Sequence, residues 1–176
     1  RYIPQSPDLL LQGFAEKHLL LQGALDDLKA ISAQPSMRPK IRIFEGISGV
    51  AHVYEEMLKS SGVQFFGSLK DINKYFSSIA AKFPRHPTLH VQDILTDNPI
   101  DRRYASEATA PHYEARFLPS LFDVSIDCAI YGNSVAILSV RKELFAAVIE
   151  SEDVANSLRT LHRVAWKALV PVEKEG

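Results

Sequence analysis

The feature that most constrains the fold is a change of rhythm near the middle of the chain. From residue 40 onward, short alternating apolar runs take turns with segments of helical period, whereas from residue 113 to residue 149 such runs follow one another directly. Lys40–Phe44 reads as a strand, and Ser48 then caps a helix with Val50, Val53, Tyr54, Met57 and Leu58 on one side, closed by Gly62. Val63–Phe66 is a second strand, followed by a helix over Asp71–Phe83 with Ile72, Tyr75, Phe76, Ile79 and Phe83 inward and Pro84 and Pro87 at its end. Thr88–Ile94 is a third strand, and Asn98-Pro99 is an N-cap and first-turn pair for a short helix. This β-α-β-α-β-α order predicts a mainly parallel first half with helices on the sheet faces.

The second half predicts a meander. Tyr113–Leu118, Asp123–Tyr131, Ser134–Val140 and Phe145–Ile149 read as strands, with Gly132-Asn133 as a tight hairpin turn. Ser151 caps a last helix whose inward positions are Val154, Leu158, Leu161, Val164 and Ala165, and Glu152 and Asp153 suit its first turn. The fold class expected is α/β, a mixed sheet with helices on both faces.

Ahead of this domain, residues 8–33 read as one long helix, capped by Asp8 and bounded by Pro35 and Pro39. Leu11, Phe14, His18, Leu21, Leu25 and Leu28 recur at spacings of three and four, the seam of a coiled coil. Gly13 and Gly23 each cost about 1 kcal/mol in a helix interior, so packing must hold this helix. Two partners fit the seam: a second copy of the chain, or the chain's own domain. The organisation expected is a linker and dimerisation helix over residues 1–36 and a domain over 37–176. The opening RYIPQSPDLL has neither an initiator Met nor a signal-peptide pattern and reads as the continuation of something longer.

Composition narrows the partners. With 20 Lys+Arg against 21 Asp+Glu the net charge is −1, which argues against a domain held on nucleic acid by its own phosphate contacts. No apolar run approaches the roughly 20 residues that span a bilayer, so no membrane role is expected. Cys128 is the single cysteine, which removes disulfides and cysteine-based zinc sites and fits a reducing, cytoplasmic compartment.

The residues that invite chemistry are few. KIRIFEGISGVAHVYEEML has the strand, glycine turn and helix of a phosphate loop, but it carries two glycines three apart, no lysine, and Glu45 where a phosphate would sit. Turn and cap roles suit Gly46 and Gly49 better. Glu45 still lies at the carboxyl end of a strand, the edge where α/β sheets bind ligands, and competes there with the reading of a solvated acid. His86 and His90, with Asp93 after them, invite a metal reading, but the histidines flank Pro87 and cannot share a helix face, so no metal site is expected. Gly-x-Ser-x-Gly is absent, and no cofactor is called for. Asp127, in the middle of a strand that would be covered by helices, needs a partner, and Arg116 on the preceding strand is the expected one. Such a pair serves either a ligand or the structure alone.

KIRIFEGISGVAHVYEEML, EARFLP, DCAIYGNSVAILSV and AVIESEDVANSLRTLHRVAWKAL resemble, in that order, the C-terminal effector half of TrmB-like transcriptional regulators, whose sheet is similar to that of phospholipase D. The resemblance runs from about residue 5 onward. It implies a homodimer, a small-molecule effector that is a sugar in the best-known members, and DNA binding only through a separate N-terminal winged helix-turn-helix. Glu45, Arg116 and Asp127 are then the expected ligand-binding residues. Phospholipase D chemistry needs His-x-Lys, because the imidazole attacks phosphorus and the lysine holds its oxygens; no His-x-Lys occurs in the chain, so no enzyme is expected. The family's hairpin often carries Asp-Lys after Tyr-Gly, where Asn133-Ser134 stands here. The function expected is the effector and dimerisation part of a DNA-binding regulator. The alternatives are a small α/β enzyme on a sugar or phosphate compound, with Glu45, Arg116 and Asp127 as its polar residues, and a dimerisation scaffold without ligand.

Overall fold

The computed structural model describes residues 39–169 and, before them, the helical residues Lys17, His18, Leu21, Gln22 and Leu25. Seven strands, β1 Lys40–Glu45, β2 Gly62–Gly67, β3 His90–Thr96, β4 Tyr113–Leu118, β5 Asp127–Tyr131, β6 Ser134–Ser139 and β7 Phe145–Glu150, form one sheet in the order β1-β7-β6-β5-β2-β3-β4. Among residues 39–169, four helices accompany them: α1 Gly46–Leu58, α2 Leu69–Ala80, α3 Pro99–Ser106 and α4 Glu152–Ala168.

Only β2, β3 and β4 run parallel to one another; β2 meets β5 antiparallel. β1 does not join them, contrary to the parallel first half expected; it crosses to the far edge and pairs antiparallel with β7, Lys40 opposite Glu150. The crossing lets α1 cover the meander. Its Val50, Val53, Tyr54 and Met57 pack on Ala146, Val148 and Leu138 in the same core that α2 closes with Ile72, Phe76 and Ile79. Of these four helices, α4 packs on the opposite face, over Ile130 and Val135. β3 is buried on both faces from Asp93 to Thr96, as a central strand beneath helices must be.

The glycines of the opening motif have local reasons. Gly46 takes φ +72 as the chain leaves β1, and its N–H donates to the Leu144 carbonyl at 2.8 Å. A Cβ on Gly49 would come within 3.1 Å of the Phe44 carbonyl carbon, so its bare backbone lets α1 start close to the strand. Ser48 is not the cap expected; the helix begins three residues earlier, with Glu45 in the N-cap position and no side-chain capping bond.

Other boundaries moved for visible reasons. The strand expected from Asp123 begins only at Asp127, because Arg141 holds the preceding loop through Asp123 at 3.1 Å and Ser125 at 3.0 Å. α2 starts at Leu69 behind the Ser68 cap and ends at Ala80; Phe83 opens a separate 3-10 turn, and Tyr75 faces solvent. In α4, Leu161 and Val164 were expected inward and are 63% and 64% exposed, whereas Ala155, His162 and Trp166 form the buried stripe. Small Ala155 and flat rings let the helix sit close to the sheet. Ser151 does cap it, accepting from the Val154 N–H at 3.4 Å, and Gly132, at φ +49, does turn the β5–β6 hairpin.

Candidate functional site

The three residues expected to share a ligand do not meet. Arg116 lies on β4, which is separated from β5 and Asp127 by β2 and β3. Its row, Ile94, Phe66 and Cys128, also alternates with that of Asp127, so Arg116 faces α4 while Asp127 faces α1 and α2. The ion pair inferred from consecutive strands is therefore absent. Arg116 instead donates to the carbonyls of Trp166 and Leu169, the latter at 2.8 Å, with its guanidinium 4.6 Å from the Trp166 ring centroid. This is a cap on the C-terminal end of α4, where a cation also suits the helix dipole. Replacing Arg116 by Met should cost about 1–3 kcal/mol, because two charged hydrogen bonds are lost. Urea unfolding followed by Trp166, the only tryptophan, reads that loss directly. Glu45, at the carboxyl end of β1, is exposed and lies three strands from Asp127.

Asp127 belongs to a different constellation. It is buried at the start of β5, where its Oδ1 accepts from the Ser68 N–H at 3.1 Å and its Oδ2 from the Tyr54 hydroxyl at 3.3 Å. Gly67 makes the room, since a Cβ there would fall 1.8 Å from Oδ1. On the same face, Asp93 of β3 is buried, and its one hydrogen bond among the described residues comes from the Tyr113 hydroxyl at 3.1 Å. Asp101, fully buried on α3, accepts from the Leu69 N–H at 2.8 Å, the Thr96 hydroxyl at 2.6 Å and the Asn98 amide at 2.8 Å. Asn98 itself caps α3 through the N–H groups of Ile100 and Asp101.

Three carboxyl groups thus gather at the carboxyl ends of β2 and β3, around the start of α2. Asp93 and Asp127 border a cavity of about 20 Å³ whose other walls include Tyr54, Phe65, Phe83 and Tyr104, and no Lys or Arg stands in its lining. Burial pushes the Asp93 carboxyl up to about 7, against the Tyr113 hydrogen bond that opposes it. Burial likewise holds Asp127 well above the usual carboxylate range; the Ser68 N–H works in the other direction and the charge of Asp93 adds to the rise. Tyr54, Tyr104 and Tyr113 are raised by the same desolvation, so their hydroxyls stay protonated as donors. The arrangement is suited to a small ligand of positive charge or to a proton, and poorly suited to a phosphate.

Sequence reasoning found Asp127 and its burial, set Asp93 only beside the rejected His86 and His90 metal site, and missed Asp101 and the tyrosines. Asp93 was readable: it interrupts the apolar run VQDIL in a strand flanked by two others, the position where a charge needs a reason. The expected dimer seam is described at three positions. His18, Leu21 and Leu25 are helical and exposed, the leucines at 63% and 52%; Leu11, Phe14 and Leu28 lie outside the described residues.

No family model matches the chain, and no curated protein matches it. Among solved structures, it is similar to Nuc, a phospholipase D family member from Salmonella typhimurium, with a TM-score of 0.57 and 12% identity over 77% of this chain and 99% of that one. NucT from Helicobacter pylori gives a TM-score of 0.53 and 11% identity over 77% and 100%. These likenesses show a phospholipase-D-like fold. TrmBL2, an archaeal chromatin protein with a novel mode of DNA binding, is similar at a TM-score of 0.48 and 14% identity over 94% of this chain, which spans 66% of TrmBL2. No helix among the described residues is long and apolar enough to cross a membrane.

Proposed function

We propose that the chain is the non-catalytic effector and dimerisation part of a DNA-binding transcriptional regulator, with a small-molecule site at the carboxyl ends of β2 and β3. The observation that carries this reading is the content of that site. A phospholipase-D-like sheet presents buried aspartates and tyrosines there, with no basic side chain in the cavity wall, and the chain holds no His-x-Lys. A phosphodiester would meet acids and no cation there, where hydrolysis needs a nucleophile and a cation. The TrmB-like resemblance of the strand and helix motifs supplies the regulatory class, and DNA contact is assigned to a separate N-terminal winged helix-turn-helix.

Dimerisation is assigned to the N-terminal helix. Leu21 and Leu25 stand one turn apart, more than half exposed, and a second copy meeting them would remove both from water. A ligand that favours one arrangement of such a dimer changes operator affinity by that preference. Sedimentation equilibrium at tens of micromolar should give a dimer for the chain and a monomer for Leu21→Glu. A chain that sediments as a monomer, or a Leu21→Glu, Leu25→Glu double variant that stays dimeric, removes the reading.

A further inference from the structure

We propose that the cavity between Asp93 and Asp127 is a binding site for a small ammonium-type cation, either the ammonium ion or the head of a primary amine. This rests on reading the carboxyl end of the sheet as the effector site, and it names the ligand class that such a site would take. Two buried carboxyl groups border the cavity, and one oxygen of Asp93 receives no hydrogen bond among the described residues. The remaining walls are mostly apolar, with the rings of Tyr54, Phe65, Phe83 and Tyr104 beside the aliphatic Leu69, Ile72 and Leu95. Carboxylates supply countercharge and acceptors for N–H donors, and aromatic faces attract cations through their quadrupoles. A volume of about 20 Å³ admits one group of the size of water, which ammonium matches and a hydrated metal ion exceeds. Calcium and magnesium ask for about six or more oxygens, a demand that mostly apolar walls do not meet.

The charged and titratable groups around the cavity are consistent with this assignment. α1 contributes Tyr54, α3 contributes Tyr104 and Asp101, and β4 contributes Tyr113, all acids. Arg85 acts on Tyr104 from the 3-10 turn, but it is engaged at the surface by Glu107 at 3.4 Å. At pH values where Asp93 and Asp127 keep their protons, the countercharge is gone and the site should lose its cation.

The test is a thermal melt of the full chain at pH 8 in ammonium chloride against potassium chloride at equal concentration. Potassium has nearly the radius of ammonium but no hydrogen to donate. Binding should raise Tm in ammonium by about 2–4 °C over potassium. The increment should vanish in Asp93→Asn and Asp127→Asn, and in the unmodified chain at pH 5. Equal melting in the two salts, or an increment retained in either variant, overturns the proposal; if Asp127→Asn does not fold, Asp93→Asn carries the comparison. Failure here leaves the sedimentation result untouched. A monomer that still distinguishes ammonium from potassium would remove the dimeric regulator and keep the site.

Discussion

Asp93→Asn should raise the stability of the chain at pH 8, in potassium buffer, by about 2–4 kcal/mol, and the gain should disappear near pH 4. The sign follows from the direction of the shift. The folded carboxyl titrates at about 7, above its value of 3.8 in the unfolded chain. Below 3.8 both states hold the proton and the group costs nothing; as pH rises through the interval, the unfolded chain releases its proton while the folded one keeps it, so stability falls until pH passes 7. Asn keeps an oxygen that accepts from Tyr113 and has no proton to lose. Asp127, raised in the same direction by burial, adds to the slope of the unmodified chain. Urea unfolding of both proteins at a series of pH values between 4 and 8 measures the difference. A flat difference, or a variant less stable at pH 8, would mean that Asp93 is ionised in the fold without penalty.

Gly67→Ala should be the most damaging single methyl in the site, at about 3 kcal/mol, an overpacking cost at the upper end for one added carbon. The new Cβ would fall 1.8 Å from Asp127 Oδ1 and 2.7 Å from its Cγ, with the Asp127 Cα at 3.3 Å. The antiparallel β2–β5 ladder reaches the adjacent Phe66 and Cys128, and Gly67 itself pairs with Leu95 of β3, so the backbones yield only by breaking a ladder. The carboxyl must leave, and with it the hydrogen bonds from the Ser68 N–H and Tyr54. Asp127→Ala alone also loses those bonds. The double variant should therefore cost clearly less than the sum of the two single changes, since the clash is gone once the carboxyl is gone. Additive losses would show that the methyl is accommodated without displacing Asp127.

Much of the architecture was legible because its signals are local. Asn98-Pro99, Ser151 and Gly132-Asn133 fix caps and a turn with their own side chains or φ angles, and each falls where the sequence puts it. The change from alternating to meandering elements was also legible, since it depends on periods within single segments. What failed depends on which strands become neighbours. β1 reads like the first strand of a parallel unit, yet its place at the far edge is decided by pairing with β7, more than a hundred residues on. The same ignorance of strand order produced the Arg116–Asp127 pair: residues on consecutive strands are neighbours only if the strands are, and here two others intervene.

The buried stripe of α4 failed for a related reason. Leu161 and Val164 are the more apolar choice by side chain alone, but the sheet beneath selects His162, whose Nε2 meets the Phe65 carbonyl at 3.1 Å, and Trp166, which stacks on it. Polar partners supplied by distant strands are invisible to a helical period. The acidic site shows the same limit: nothing in the sequence joins Asp93, Asp101 and Asp127 until β3, α3 and β5 bring them to one end of the sheet.

The measurement that tests the account most directly is a titration of the side-chain carboxyl carbons by NMR, with selective 13C labelling of aspartate. The carboxyls of Asp93 and Asp127 should titrate well above the usual carboxylate range, the first of them near 7. Replacement of each by Asn assigns its signal. If both carboxyls lose their protons in the ordinary range, a basic group compensates them in the fold, and the uncompensated acidic site on which the sensor reading rests does not exist.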